Sequence, residues 1–266
     1  MSTNLHHGFT DVERSARPQT LFDFLELVNS LPEIRAYKRV MRTSLQLQTG
    51  DTLLDVGCGI GIEACRIANE CPGVRVIGLD REAMIAEAQD RAGADGASVR
   101  WLPGQAENIP LPDGSVDACM TERVLMYLPD PALGIAEMVR VLKPGGRVAC
   151  FELDYDATML GGDPEMAATV NDLMNGTLGE PRMGRRLPTL LREAGLTGLS
   201  LHPVIFFPPW PVYEAAVANT VREAIARGDL PHDQATNWLQ SQADAADAGL
   251  FFVAFIGIVA SATLAS

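Results

Sequence analysis

The spacing of apolar residues changes twice along this chain of 266 residues. Between Leu21 and Leu47 they recur every three or four positions, which is typical of amphipathic helices. Pro32 falls inside this stretch at a position that suits the start of a helix, so the pattern predicts two N-terminal helices. Residues 1–18 are polar and end at a proline, and we expect them to form a loose arm.

Short apolar runs alternate with helical patterns through the middle of the chain. The predicted strands are Thr52–Val56, Val74–Leu79, Val99–Leu102, Val116–Met120 and Arg147–Leu153. The predicted helices are Ile62–Glu70, Glu82–Arg91 and Pro131–Leu142. Strands that alternate with helices indicate βαβ units, and these units predict a parallel sheet with right-handed crossovers.

The regular alternation weakens after residue 154. Helices are predicted at Pro164–Met174, Leu187–Ala194, Val212–Arg227 and His232–Ala248, and strands at Leu199–Phe207 and Phe251–Ile258. Residues 155–185 and 208–249 are therefore candidates for a cap over the sheet. We interpret the chain as one domain in three parts. These are an N-terminal arm with a helical lid (1–48), a ligand-binding core (49–154), and cap insertions with the strands that complete the sheet (155–266).

Charge and composition exclude several classes of protein. The formal net charge is −13, and both a nucleic acid and an anionic membrane surface would require a basic face. The apolar run Leu250–Ala260 is too short to span a bilayer, and we interpret it as a buried strand. The chain opens without a signal-peptide pattern, and its five cysteines form no CxxC pair. We therefore expect a cytoplasmic protein with reduced cysteines and no metal site.

The strongest chemical signal is a glycine-rich turn after the first strand. Its residues are Asp55, Gly57, Gly59 and Gly61, in the pattern D-x-G-x-G-x-G. Glycines let the backbone bend tightly and approach a ligand, and the helix that follows offers free N–H groups. Ile62 stands where a dinucleotide fingerprint has its third glycine. Asp80 ends the second strand, where a carboxylate can accept hydrogen bonds from both hydroxyls of a ribose.

With three further segments, this motif resembles the class I S-adenosylmethionine (SAM)-dependent methyltransferases. Residues 104–117, 124–131 and 137–146 are similar to the subgroup of small-molecule enzymes that includes ubiquinone and menaquinone methyltransferases. The resemblance implies an α/β fold: a doubly wound, Rossmann-like sheet of seven strands, mostly parallel, with the last strand antiparallel. It also implies N-terminal helices, a helical cap and SAM as the cofactor.

The resemblance also assigns roles to individual residues. It places Gly57, Gly59 and Gly61 against the methionine half of SAM, with Asp55 at the amino group of that half. It places Asp80 at the ribose, and around the adenine it places Arg81, Met84, Gln105 and Ala106. Thr121 and Glu122 would lie near the methyl group, and Tyr37 would lie on a helix that covers the cofactor. Two departures concern chemistry. The family commonly has Asp at Gln105, and it often has His or Gln where this chain has Met126 and Tyr127.

Those departures leave the catalytic assignment open. Methyl transfer is an in-line displacement, and a base is needed only if the acceptor must lose a proton. The candidate catalytic residues are Glu122, His202 and Tyr155, with Asp154 beside the last of these. Arg185 and Arg186 follow Gly184, and this pair could bind a substrate carboxylate or form a solvated charge pair.

The sequence thus favours an enzyme that moves the methyl group of SAM to a carbon or oxygen of a small, largely apolar metabolite, such as a natural product or a quinone-like compound. The alternative is a SAM-binding fold that carries out a non-methylating reaction such as a cyclisation or rearrangement. A non-enzymatic interaction module is a third hypothesis. We expect a small-molecule substrate and no nucleic-acid or membrane partner, and we leave the oligomeric state open.

Overall fold

A computed structural model describes residues 18–266 and contains a seven-stranded sheet with the strand order β3-β2-β1-β4-β5-β7-β6. The strands are β1 (Thr52–Val56), β2 (Arg75–Asp80), β3 (Val99–Pro103), β4 (Val116–Glu122), β5 (Leu142–Leu160), β6 (Leu196–Phe206) and β7 (Val253–Leu264). Strands β1 to β5 pair in parallel, whereas β7 runs antiparallel to both β5 and β6. This topology confirms the predicted fold. The predicted arm lies outside the described residues.

Helices flank this sheet. They are α1 (Pro18–Ser30), α2 (Pro32–Leu45), α3 (Ile62–Glu70), α4 (Glu82–Asp95), α5 (Pro131–Val141), α6 (Pro164–Asn175), α7 (Met183–Glu193), α8 (Trp210–Arg227) and α9 (His232–Asp247). Helices α3 and α4 pack on β2 and β3, whereas α2 and α7 pack on β5 and β7. Every residue of β1 is buried, as expected for the centre of a parallel sheet.

The last third of the chain differs from prediction mainly at the ends of its elements. Strand β5 continues seven residues beyond the predicted end at Leu153, because β7 keeps pairing with it after a register shift between Asp154 and Met159. The polar side chains in this extension interrupt the apolar pattern but leave the backbone pairing possible. The apolar run at 250–260 is mostly strand β7, which confirms the prediction of a buried strand there. None of the helices described between residues 18 and 266 is long and apolar enough to cross a membrane.

The cap is built from helices on either side of β6 in the sequence. Helix α8 contacts α6 and α9, and it also reaches α1 at the N-terminal side of the chain. The contact between α1 and α8 brings the first described helix and the cap together above the carboxyl ends of the central strands. This arrangement determines what covers the site described next.

Candidate active site

A cavity of about 390 Å³ opens at the carboxyl ends of the central strands. It lies where the strand order reverses between β1 and β4, the usual place for a ligand in a doubly wound sheet. The turns after β1, β2 and β3 contribute Gly57, Gly59, Leu79, Asp80, Arg81, Met84, Gly104, Gln105, Ala106 and Glu107. Residues from β4 onward contribute Glu122, Arg123, Val124, Met126, Tyr127, Leu128, Pro129 and Tyr155. Phe24 and Leu25 of α1 and Ala216 of α8 cover it.

The three glycines after β1 have different surroundings. A side chain on Gly57 would collide with Val124, 2.2 Å from its nearest methyl carbon, and one on Gly61 would lie 2.5 Å from the ring of Trp101. Among the described residues, a Cβ on Gly59 would meet only a Leu25 methyl, at 3.7 Å. Gly61 therefore serves packing against β3, whereas Gly59 leaves room for a ligand.

Asp80 lies at the tip of β2 and faces the cavity. The backbone N–H of Gly59 donates to its Oδ2 at 2.7 Å, and that of Arg81 donates to its Oδ1 at 2.7 Å. Burial raises the pKa of this carboxyl, although both backbone donors act to lower it. A carboxylate has about four acceptor positions, so two remain for a ligand. The aspartate is thus locked in place and still able to accept hydrogen bonds.

Asp55 faces a second, smaller cavity of about 60 Å³ beneath the glycine turn. Its carboxylate has no hydrogen-bond partner in the described part of the chain, and burial raises its pKa to about 8. The same small cavity is lined by the charged side chains Lys38, Glu63, Glu122 and Arg123, and by Asn29. Charges of both signs therefore surround a space large enough for a few waters or a small zwitterionic group.

Glu122, at the end of β4, connects the two cavities and is held by three donors. The Tyr37 hydroxyl donates to its Oε1, Lys38 Nζ lies 2.8 Å from its Oε2, and Arg123 Nε donates to Oε1 at 3.0 Å. Burial raises the pKa of Glu122, but the two cations outweigh burial and lower it to about 2. Glu122 is therefore a permanently ionised carboxylate whose oxygens are occupied.

The turn after β4 places polar groups on an otherwise apolar wall. Arg123 adopts a left-handed backbone conformation with φ 55°, and its side chain lines both cavities. The hydroxyls of Tyr127 and Tyr155 lie within electrostatic range of its guanidinium. Burial raises the pKa of Tyr155 to about 12 and that of Tyr127 well above its ordinary value. These three side chains form the polar part of the wall opposite Asp80.

Glu152 on β5 anchors this turn from below. Its Oε1 accepts the backbone N–H groups of Val124 at 3.0 Å and Leu125 at 2.8 Å. Its side chain is fully buried, and its Oε2 has no partner among residues 18–266. Burial raises the pKa of Glu152 to about 8. The segment that carries the polar wall is thus fixed by a buried carboxyl group.

Nine of the predicted site residues line the main cavity. They are Gly57, Gly59, Asp80, Arg81, Met84, Gln105, Ala106, Glu122 and Tyr155. Asp55 lines the small cavity instead. Tyr37 is buried behind the wall, where it stacks on Phe151 with ring centroids 3.8 Å apart, and it reaches the site only through Glu122.

Other predicted positions lie away from the cavity. His202 is exposed on β6, an edge strand, and pairs in register with Val259, so it lies away from the cavity. Thr121 is fully buried inside the sheet and Gly61 packs on Trp101, so neither lines the wall near a ligand.

The arginines after Gly184 are already paired. Arg185 grips Asp154 with two hydrogen bonds, one of them from Nη2 at 2.7 Å, and Arg186 pairs with Glu180. Neither arginine lines the cavity. Of the two interpretations that the sequence left open, the structure favours charge pairs over a substrate-binding site. The pair with Arg185 also occupies the carboxylate of Asp154.

Two charged residues at the site were missed by the sequence analysis. Neither Lys38 nor Arg123 is among the predicted site residues, and Arg123 lies one position before the segment 124–131 that resembles the family. A lysine one residue after Tyr37, on the apolar side of α2, is a signal that could have indicated a buried partner.

Comparisons with known proteins agree with this geometry. A family described as "Methyltransferase domain" matches residues 54–150. An uncharacterized 37.1 kDa protein in transposon TN4556 of Streptomyces fradiae is 32% identical, over 95% of this chain and 74% of that protein. Demethylmenaquinone methyltransferase of Deinococcus radiodurans is 34% identical, over 53% of this chain and 59% of that enzyme. The 27-O-demethylrifamycin SV methyltransferase of Amycolatopsis mediterranei is 29% identical, over 78% of this chain and 72% of that enzyme.

Solved structures share the fold. The YcgJ protein of Bacillus subtilis has a TM-score of 0.62 at 19% identity, covering 87% of this chain and 99% of its own. The [4+2]-cyclase SpnF has a TM-score of 0.57 at 24% identity, covering 87% of this chain and 82% of its own. Likeness at this level concerns the fold alone and does not favour cyclisation. The sheet order, the glycine turn beside Asp80 and these matches show that the chain belongs to the class I SAM-dependent methyltransferases of the small-molecule type.

Proposed function

We propose that this protein transfers the methyl group of SAM to a carbon or oxygen of a small, largely apolar acceptor. The observation that carries the proposal is the fixed orientation of the Asp80 carboxylate and the acceptor positions that it has left. Two backbone N–H groups hold its carboxylate at the edge of a cavity of about 390 Å³, with acceptor capacity to spare. A cavity of that volume is in the range of small-molecule sites.

The residues around the glycine turn fit SAM. Asp80 would accept hydrogen bonds from the ribose hydroxyls, and the open space at Gly59 would admit the ligand close to the backbone. Asp55, which has no hydrogen-bond partner among residues 18–266, faces a small cavity with charges of both signs, which suits an amino acid group. Met84 and Ala106 offer apolar surface, and Gln105 a neutral amide, for an adenine. When bound, SAM supplies an electrophilic methyl group on a sulfonium.

The rest of the wall suits an acceptor with a mostly apolar body. Phe24 and Leu25 of α1, Met126 and Leu128 after β4, and Ala216 of α8 line the space that the polar residues leave. Apolar lining with a few placed polar groups is typical of sites for small organic ligands. The related demethylmenaquinone and demethylrifamycin methyltransferases are named for quinone and natural-product acceptors, and we extend that acceptor class to this chain.

Binding and methyl transfer can be tested separately. Calorimetry with SAM and with S-adenosylhomocysteine should give saturable binding of one ligand per chain. Incubation with methyl-labelled SAM and a panel of phenols, quinols and enols should then move label into an extractable product. Absence of binding at high protein concentration would remove the proposal. Tight binding with no label transfer to any member of the panel would instead favour a non-methylating reaction.

We also propose a cytoplasmic location without a nucleic-acid partner. The net charge of −13 opposes phosphate backbones, and the five cysteines of the chain are free thiols, as in reducing compartments. Alkylation of the protein in a freshly lysed host under denaturing conditions should modify all five thiols. Disulfide-protected thiols would contradict a reducing location.

A further inference from the structure

Two cations pair with Glu122 beside the cavity, Lys38 at 2.8 Å and Arg123 Nη2 at 2.8 Å. Lys38 is shared with Glu63, whose Oε2 lies 3.9 Å from its Nζ. Lys38 is almost completely buried and lines the small cavity, whereas the Arg123 side chain is 18% exposed and also lines the main cavity. Of these two cations, Arg123 is therefore the one that faces the main cavity.

The guanidinium of Arg123 has a donor to spare. Its Nε and Nη2 bind Glu122, and Nη1 has no partner in the portion of the chain that the structure describes. Tyr127 and Tyr155 line the cavity next to it, within its electrostatic range. A guanidinium that uses one edge to bind a carboxylate and has N–H donors left on another edge is suited to bind an oxygen anion.

Among the described residues around Arg123, Glu122 and the two tyrosines are poor bases. Glu122 has its oxygens occupied by Tyr37, Lys38 and Arg123, and it is too weak a base to accept a proton near neutral pH. Tyr127 and Tyr155 stay protonated, because burial and their surroundings raise the pKa of both. None of these three side chains is therefore suited to remove a proton from the hydroxyl of an acceptor.

We propose that Arg123 binds the acceptor as an anion, so that the substrates of this enzyme are acidic hydroxyl compounds: phenols or enols that ionise in water near neutral pH. This inference rests on the proposed methyl transfer and specifies its acceptor. The anion, at its oxygen or at the conjugated carbon, forms the new bond to the methyl carbon. The sulfonium–methyl bond breaks and its electron pair passes to sulfur. Oxygen methylation then releases no proton in the site, and carbon methylation releases the ring or enol proton to water afterwards.

The test uses 4-nitrophenol, whose ionised form absorbs visible light, as the probe. Its absorbance is titrated against pH with excess protein, both with saturating S-adenosylhomocysteine and without it. The wild-type protein should bind the anion at least about tenfold more tightly than the neutral phenol, which lowers the apparent pKa of the bound probe by at least about one unit. Arg123→Gln should abolish the preference, and Arg123→Lys, which keeps the charge, should restore part of it.

The matched control is Arg182→Gln, which also removes one arginine. Arg182 is exposed, pairs with Asp156 and lies outside the cavity wall, so the preference should remain unchanged. Melting temperatures and binding of S-adenosylhomocysteine establish that each variant is folded. Glu122 keeps Tyr37 and Lys38 as partners in the Arg123 variants.

Each result decides the inference. No binding of 4-nitrophenol, equal affinity for its two forms, or an anion preference that survives Arg123→Gln would overturn the role of Arg123. S-adenosylhomocysteine binding together with any of these results would leave the proposed methyl transfer standing. Failure to bind S-adenosylhomocysteine would overturn the proposed function, while the titration without it still decides whether Arg123 selects an anion.

Discussion

The buried carboxyl of Glu152 makes a sharp prediction about stability and pH. Burial raises its pKa from 4.5 to about 8, while backbone N–H groups of the turn after β4 act against that rise. The folded protein therefore holds a proton on Glu152 at neutral pH that the unfolded chain has lost. Glu152→Gln keeps an acceptor oxygen for those N–H groups and removes the titration.

The magnitude follows from the difference between the two pKa values. Below pH 4.5 the group is neutral in both states, and its contribution to stability is fully present. Between pH 4.5 and 8 each unit of pH costs the folded state about 1.4 kcal/mol, and above pH 8 the loss is complete. The total is on the order of 5 kcal/mol, a large part of the stability of an ordinary domain.

Urea unfolding of both proteins at pH 5, 6, 7, 8 and 9 measures this effect. The stability of Glu152→Gln relative to wild type should rise by several kcal/mol over that range. Asp55, whose pKa is also raised to about 8, is present in both proteins and cancels from the difference. Glu193→Gln, at an exposed site on α7, should give a flat difference. Parallel curves for wild type and Glu152→Gln would refute the burial argument.

Four further variants test the site. Asp80→Asn should weaken SAM binding at least about tenfold in calorimetry, because a neutral acceptor forms weaker hydrogen bonds, and unchanged affinity would contradict the ribose role. Gly61→Ala should cost about 2–4 kcal/mol in urea unfolding, because its methyl group meets Trp101 in a left-handed backbone, and should leave SAM affinity nearly unchanged. Gly59→Ala should cost only about 1–2 kcal/mol and weaken SAM binding, and the reverse ranking would refute the packing argument. Tyr37→Phe should cost about 1–2 kcal/mol by removing one donor to a carboxylate while its ring stack remains, and a neutral effect would contradict that bond.

The main lines of the fold follow from local patterns. The turn after β1 and the acid at the end of β2 belong to neighbouring strands, so spacing alone brings Asp80 to Gly59. The purpose of each glycine does not follow in this way. Gly61 is needed because Trp101 of β3, 40 residues later in the chain, packs across it, and only the assembled sheet shows that contact.

The catalytic candidates show the same limit. An alternating pattern predicts a strand around His202 but does not tell whether the strand lies in the centre or at the edge of the sheet, and β6 lies at the edge. Glu122 is a carboxylate that follows a predicted strand, and this position suits a general base. Two of its three donors come from Tyr37 and Lys38, about 85 residues earlier in the chain. Long-range partners of this kind leave almost no signal in a single sequence.

Two glutamates on neighbouring strands illustrate how partners decide chemistry. Glu122 on β4 has a pKa lowered to about 2, and Glu152 on β5 has one raised to about 8. Two carboxyl groups whose pKa values are shifted in opposite directions often act as the acid and the base of an active site. Here the first is occupied by three donors and the second is fully buried beneath the turn. Both perturbations therefore serve structure, which is consistent with an acceptor that needs no base.

The buried pair between Lys38 and Glu122 provides the last prediction, because the chain contains a matched exposed pair. Lys38 Nζ lies 2.8 Å from a Glu122 oxygen, and Lys143 Nζ lies 2.8 Å from an Asp117 oxygen. The side chain of Lys38 is 4% exposed and that of Lys143 is 41% exposed. Since solvent screens the second pair, Lys143→Met should cost less than about 1 kcal/mol in urea unfolding. Lys38→Met should cost about 3–5 kcal/mol, because it leaves Glu122 buried with a partner missing. Equal costs at equal distance would show that burial does not set the strength of this network, and the argument for a permanently ionised Glu122 would fail with it.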